Sequence, residues 1–467
     1  MGHDRTFGEC YLYPAFILRT SLSRGECGDF PGASAKNSFM KTIVSLIAMS
    51  VLTGILAAAE SWPQFRGPGG LATSPDGAAI PLEWGEKKNM KWKTPMPGPG
   101  SSSPVFVGNR LFVTCYTGYG TSPEKVGSAG DLGRTLICLD RGDGRILWKK
   151  SIELANPEDP YRGYLMEHGY ASSTPATDGE RVFVFTGKSG LHVYTIEGKP
   201  LWSKSVGAQS SNRRWGSAAS PLLYRNLVII NAADEARSLI AFDKDSGEEK
   251  WRYQSKELEL AFATPQLTVA EDGSDEMVLS IPHELFALDP ATGKRKWLAR
   301  TRVPGNVSPS VVITDDMICA FGGYPRKMSI GLKRGGSGDV TGNLRWDSKV
   351  TTYVPTPLAY GKNLYWVNDS AEAICMEIAT GKVLSKKTVE GIARSKRFSF
   401  YASMVRVGER LYAVSRHNGT FVFEANPGMK QIAQNRFDDR SDFSGTPALS
   451  KDALYLRSGK FVYCISE

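Results

Sequence analysis

Histidine, cysteine and long apolar runs are all sparse in this sequence. Five histidines and seven cysteines are spread over 467 residues. His168, His192, His283 and His417 stand far apart, and none pairs at the short spacing of a zinc site. No two cysteines are adjacent, and Cys-x-x-Cys-His is absent, which removes covalent haem attachment and a disulfide scaffold. A phosphate-covering glycine loop with a Val-Ala-x-Lys strand, a His-Arg-Asp loop and an Asp-Phe-Gly site are missing too, which excludes a kinase. Gly-x-Ser-x-Gly is also absent, so a hydrolase elbow has no support. The net charge is +9, yet dense basic runs are few and no nucleic-acid motif lies near them. That scatter reads as a basic surface and not as a nucleic-acid interface.

The single long apolar run is Ile43 to Leu56, preceded by Met40-Lys41 and followed by Ala57-Ala58-Ala59. A basic start, an apolar centre and a small-x-small end predict a signal peptide over 40–59, cleaved before Glu60. No cysteine follows the run, so a lipid anchor is not expected. Residues 1–39 read as an upstream extension ahead of a true start at Met40; a cytoplasmic extension on a signal anchor is the other reading. Residues 1–60 carry five basic and five acidic side chains, so the +9 stays with the part that folds. The expected mature protein, 60–467, is exported to the periplasm or beyond, has no transmembrane span and is a monomer.

What is abundant is glycine, 48 residues, without a Gly-x-y period. The excess over the usual ~7% points to many tight turns. A Ser/Thr-Pro element recurs at Ser103-Pro104, Thr174-Pro175, Ser220-Pro221, Thr264-Pro265, Ser308-Pro309, Thr356-Pro357 and Thr446-Pro447, with Ser403-Met404 in the remaining place. From Pro175 onward the spacings are 46, 44, 44, 48, 47 and 43 residues, and the first is 71. Each element opens a block of alternating apolar runs separated by turns, such as Leu239-Ile240-Ala241-Phe242-Asp243. A Gly with Trp four residues later ends the block, at Gly144/Trp148, Gly198/Trp202, Gly247/Trp251, Gly293/Trp297 and Gly342/Trp346. Period-2 runs of this length read as four antiparallel strands, with Trp opening the outer strand and covering the sheet.

One such sheet cannot bury both faces alone, so neighbours must stack. Radial stacking gives an all-β, eight-bladed propeller over 60–467, with short protected edges. The last block lacks its outer strand, and Asn89 to Thr94 offers one from the front of the chain. One modest insertion is expected, Gly118 to Arg134.

The repeat, Ala287 to Trp297 in its fullest form, resembles the pyrroloquinoline-quinone (PQQ) propeller repeat. It is similar to quinoprotein dehydrogenases and to the propeller lipoprotein of the outer-membrane assembly machine. Trp62-Pro63-Gln64-Phe65-Arg66-Gly67-Pro68, His168-Gly169-Tyr170-Ala171-Ser172-Ser173 and Trp215 to Pro221 resemble secreted PQQ-like repeat proteins of planctomycete-type bacteria most closely. Members of that group are often labelled as related to bacterial serine/threonine kinases. The dehydrogenase resemblance implies PQQ with calcium, an Asp base and adjacent cysteines. The cysteines needed for that are absent, and no clear calcium set stands out. The reading is therefore a non-catalytic binding scaffold without a cofactor or metal. A PQQ-dependent dehydrogenase and an outer-membrane assembly factor are the alternatives.

In a propeller the loop entering each first strand rims one mouth of the channel. Aromatics recur there: Tyr170, Trp215, Phe262, Tyr353, Tyr401 and Phe443, with His168, Arg214, Asn306, Arg397 and Arg440 beside them. A funnel with apolar walls and a few polar groups is a binding site for a small molecule or protein; packing between blades explains the same aromatics. Asn368-Asp369 and Arg416-His417 form a second candidate, expected to pair on the opposite rim. Cys138, Cys375 and Cys464 read as small buried third-strand residues, and Cys115 and Cys319 as second-strand residues, with a disulfide between blades as the alternative.

Overall fold

The computed structural model describes residues 60–124, 126–392 and 398–467. The leader expected at 40–59 and the extension before it lie outside those residues. Among the described residues no helix is long and apolar enough to cross a membrane.

The fold is an all-β, eight-bladed propeller of four-stranded antiparallel sheets. Blade 3 shows the pattern: Leu222–Tyr224, Leu227–Ala232, Ser238–Asp243 and Glu249–Gln254 succeed one another from the centre outward. Side chains alternate between the two neighbouring blades, as a period of two requires. Ile229, Leu239 and Ala241 pack with blade 4, while Val228, Ile230, Ile240 and Phe242 pack with blade 2. This is why the middle strands are apolar without interruption. Blade 8 combines Ala448–Leu449, Leu454–Arg457 and Phe461–Ile465 with Met90–Pro95, which pairs antiparallel with Phe461–Ile465. One apolar cluster runs through blades 6, 7, 8 and 1.

The blades are joined near the axis by a belt of hydroxyls. The Ser103 amide donates to Thr174 Oγ1 (2.9 Å), Thr174 to Ser220 Oγ (3.0 Å) and Ser220 to Thr264 Oγ1 (3.0 Å). Ser310 donates to Thr356 Oγ1 (3.0 Å), Thr356 to Ser403 Oγ (3.0 Å) and Ser403 to Thr446 Oγ1 (2.9 Å). The Thr446 amide then returns to Ser103 Oγ at 3.0 Å, 343 residues away in sequence. Between blades 4 and 5 the link differs, with Ser310 Oγ donating to Thr264 O at 2.8 Å. Ser308 of the recurring Ser/Thr-Pro element does not hold the belt position here; Ser310 does. Val307 is tied by backbone bonds to Leu260 and Phe262, and that tie moves the belt position two residues onward.

Toward the rim, tryptophans join the blades. They were expected to cover their own sheets, as Trp346 does over Gly331 and Trp148 beside Phe112; each also docks on the Gly turn of the following blade. Trp148 lies against Gly198, Trp202 against Gly247, Trp251 against Gly293 and Trp346 against Gly381, and a Cβ at any of these glycines would fall within 3.0 Å of the ring. The indole N–H donates to a carbonyl of that same turn region, as from Trp202 to Lys244 O (3.0 Å) and from Trp251 to Pro290 O (3.1 Å). Gly342 is the exception, with nothing within 4 Å of its added Cβ. There Gly338–Asp339 adds a parallel strand to the edge of blade 4, and Trp297 turns to Glu276 Oε1 (3.1 Å).

Residues 60–74 close the lower end of the channel. Ser61–Trp62 pairs antiparallel with the inner strand of blade 1. The Thr177 amide of blade 2 donates to Pro63 O (2.8 Å), and Arg66 Nη2 donates to Pro357 O of blade 6 (2.9 Å). Ala72 O and the Ser74 amide both bond Arg406 of blade 7 (2.8 and 2.9 Å). Gly67 lies under the Trp62 indole with φ 74° and ψ −160°, and an added Cβ would sit 2.7 Å from the ring. Only glycine fits that backbone and that gap together.

Two stability predictions follow from the belt and the plug. Ser220→Ala leaves the buried Thr174 amide without an acceptor and lowers unfolding free energy by about 1–3 kcal/mol, read by urea denaturation. Gly67→Ala costs a similar ~1–3 kcal/mol from backbone strain. Unchanged midpoints in both variants contradict these roles.

Candidate functional site

Opposite the plug, the loops entering the inner strands surround a cavity of about 160 Å³. Trp215, Phe262, Tyr353 and Tyr401 form its aromatic wall, Phe65 of the plug forms its floor, and the belt hydroxyls ring it between them. The belt is what brings these loops together, since each aromatic lies two to five residues ahead of a belt residue.

A lid crosses the mouth, and only half of its cause was expected. The connection from blade 1 to blade 2, residues 153–175, is a second insertion beside Gly118 to Arg134. The two pack on each other through Tyr116, Tyr119, Leu132, Leu165 and Tyr170. Tyr119 Oη accepts from the Tyr161 amide (3.0 Å), and Tyr170 Oη donates to Asp159 O (2.8 Å). Buried ion pairs Arg134–Glu158 (2.9 Å) and Lys188–Asp159 (3.1 Å) hold the base of the connection. From this base Tyr164 reaches over the cavity. Its ring meets Trp215 at 4.6 Å, Tyr324 at 5.4 Å, Phe398 at 5.8 Å and Tyr353 at 5.9 Å, all edge-on. Edge-to-face contacts of this kind are favourable for aromatic rings.

A latch fixes the far end of the lid. Arg416, after the second strand of blade 7, donates from Nη1 to Glu167 Oε2 (2.6 Å) and from Nε to Asp442 Oδ2 (2.6 Å). Its guanidinium lies 4.5 Å from the Tyr401 ring centre. Burial alone would lower the Arg416 pKa, but Asp442 and Glu167 outweigh it and hold it above the ordinary arginine value. Asn368-Asp369 and Arg416 therefore do not pair, and they lie on the lid's own face of the ring rather than the opposite one. Asp369 bonds Lys327 (2.5 Å), and Asn368 bonds Glu372 (2.8 Å). The reason is topological: an up-and-down blade returns its second strand to the face where its first began.

His168 lines the cavity with both ring nitrogens engaged. Nε2 lies 2.9 Å from Trp215 O, so it carries the proton, and Nδ1 lies 2.5 Å from Ser172 Oγ. Desolvation lowers its pKa, so it is neutral at pH 7 and serves to pin Trp215 to the short helix Leu165–His168 of the lid. Ser217, two residues after Trp215, donates to Glu235 Oε1 at 2.5 Å. Glu235 is buried, and that burial, with neighbouring Asp234, pushes its pKa up to about 8.

Of the remaining candidates, Tyr170 lies in the lid's aromatic base, and Phe443 stacks on Phe437 and Tyr463. Asn306 is buried. Arg214 and Arg440 are exposed, and Arg397 lies outside the described residues. Phe65, Tyr164 and Glu167 were missed by sequence reasoning. The 71-residue first spacing was the signal for the lid, whereas nothing local marks Phe65 as a channel floor. Cys115, Cys138, Cys319, Cys375 and Cys464 are free and buried, and burial pushes the Cys138, Cys319 and Cys464 thiols up to about 12.

The cavity residues do not fit a metal-bound quinone. Glu167 is the one carboxylate in the described lining, and Arg416 occupies it. Among the described residues no group of three or more His, Cys, Asp or Glu could hold a metal ion.

Fold and site together define a PQQ-like repeat propeller with one end plugged and a lidded mouth. The family model described as "Outer membrane protein assembly factor BamB" matches residues 132–387, more than half of the chain, and the chain belongs to that family. A Burkholderia pseudomallei (strain K96243) protein described as "Outer membrane protein assembly factor BamB" is 27% identical over 220 residues, 47% of each chain. The match thus spans about half the length of that relative. BamB from Moraxella catarrhalis has a similar structure (TM-score 0.55, 12% identity, 80% of this chain and 96% of that one). A europium-containing methanol dehydrogenase is comparable (TM-score 0.58, 11% identity, 86% and 90%). At these identities the structural similarity concerns the fold alone.

Glu235 yields a pH prediction. Its folded pKa, about 8, lies above the ordinary glutamate value of about 4.5, so its contribution is complete below about pH 4.5 and is lost as pH rises toward 8. Glu235→Gln keeps the Ser217 acceptor and removes the titration. The variant's stability advantage over the native protein should grow by up to ~1.4 kcal/mol per pH unit in this window, read by urea denaturation from pH 4.5 to 8. Parallel profiles contradict the assignment.

Proposed function

We propose that this protein is an exported, non-catalytic binding protein whose ligand seats in the lidded mouth. The observation that carries the reading is the cavity's form: closed below by Phe65, walled by aromatics and crossed by Tyr164. Its ionisable groups are committed to structure, with Glu167 latched to Arg416 and both His168 nitrogens bonded. Such a site can hold a ring-shaped group by stacking and hydrogen bonding, and it offers no free base beside a nucleophile. Ligand entry requires Tyr164 to lift, which breaks four ring contacts and leaves the rest of the ring unmoved.

The second reading is a part in assembling outer-membrane proteins, favoured by the family match. In that case the outer faces of the blades are the binding surface, and the mouth is structural. Ala218 lines the cavity, so Ala218→Trp fills it without touching the outer faces. A small-molecule and glycan thermal-shift screen should find a ligand that stabilises the native protein and not Ala218→Trp, because only the native state binds. Co-purification of the native protein and Ala218→Trp alike with a β-barrel insertase, and no mouth-dependent ligand, supports the second reading and contradicts the first.

A further inference from the structure

The mouth is ringed by hydroxyls with protons to give. Seven belt hydroxyls line the cavity, and each has already accepted an amide proton from the neighbouring blade. None of the seven donates to another atom among the described residues. Each keeps its proton and one of its two lone pairs for a ligand, so a group rich in acceptor oxygens can be bonded from several sides.

Basic residues flank the mouth aromatics in the chain. Arg162 and Arg326 lie two residues from Tyr164 and Tyr324, and Arg213 and Arg214 directly precede Trp215. All four are exposed. The Arg213 guanidinium lies 5.8 Å from the Trp215 ring centre. The acids around them are engaged elsewhere: Glu158 with Arg134, Asp159 with Lys188, Glu167 with Arg416 and Asp369 with Lys327. Lys327 also lies 5.9 Å from the Tyr353 ring centre, so a cationic ligand would meet aromatic rings that already have cations of their own.

Resting on the binding reading above, we propose that the ligand is an acidic saccharide: a sugar ring bearing carboxylate or sulfate, at the end of a glycan chain. The C–H face of the ring stacks on Trp215 or Tyr353. Its oxygens accept from the belt hydroxyls, and the acid group meets the rim arginines. An acidic peptide can bring the same charge, but it lacks the flat C–H face of a sugar ring to lie on the aromatic wall. The +9 charge then has one place of use, the arginines of the mouth.

Titration of Trp fluorescence, with calorimetry, tests this on the purified protein. The probes are hexagalacturonate, a sulfated carrageenan hexamer, neutral maltohexaose, hexaglutamate and PQQ. At least one acidic hexasaccharide should saturate the site and bind tenfold or more tighter than maltohexaose and hexaglutamate. Arg213→Ala with Arg326→Ala should weaken it at least tenfold, and salt should weaken the native protein more than this variant. Ala218→Trp should abolish binding. Equal or tighter binding of maltohexaose, hexaglutamate or PQQ, lost in Ala218→Trp, overturns the acidic-sugar inference and leaves the mouth reading standing. Acidic-sugar binding that survives Ala218→Trp overturns both. Failure of both acidic saccharides to bind overturns the inference, whatever the wider screen returns.

Discussion

A hydroxyl that accepts one amide proton from the preceding blade is the contact on which the rest of this molecule depends. Eight sheets can close into a ring only if every inner strand begins at the same height and distance from the axis. Most backbone bonds run within sheets, and those that cross between blades, such as Val307 to Leu260 and Phe262, do not repeat round the ring at one position. The Ser/Thr belt does so, from Ser103 round to Thr446 and back. Each link is buried, and breaking one leaves a polar group without a partner, so the cost of misregister is high relative to the worth of any single bond. The tryptophans act at larger radius, docking each blade on the glycine turn of the next.

The same belt determines what the mouth can be. The hydroxyls spend one acceptor lone pair on structure and keep a proton and a second lone pair for the channel. The loops they hold carry Trp215, Phe262, Tyr353 and Tyr401 inward. Two additions then convert an open tube into a pocket: residues 60–74 close one end, and the connection bearing Tyr164 covers the other. Neither belongs to the repeat. The pocket comes from these two segments, while the blades supply the frame that holds them.

Much of the frame was legible in the sequence, because the repeat is written in residues whose chemistry is local. Period-2 runs, Gly turns and the Ser/Thr-Pro element marked the blades and the loops that rim the mouth. Contacts between blades were harder to read. Trp251 looks as though it covers its own sheet alone, yet the ring also docks on Gly293 of the following blade. Arg416 and Asp369 occupy equivalent turns and suggest a pair, but each finds a nearer partner on another loop. Phe65 and Tyr164 were invisible as site residues, since their roles depend on where two non-repeating segments cross the axis.

Hydrogen exchange of the native protein tests the central claim, that the belt is the rigid frame beneath a movable lid. Peptides carrying the Thr174, Ser220, Thr356 and Thr446 amides should exchange only through global unfolding. The lid, residues 160–168, should exchange far faster through local opening. Belt amides that exchange as fast as the lid would show that the ring is held elsewhere, and the account of both fold and mouth would fail together.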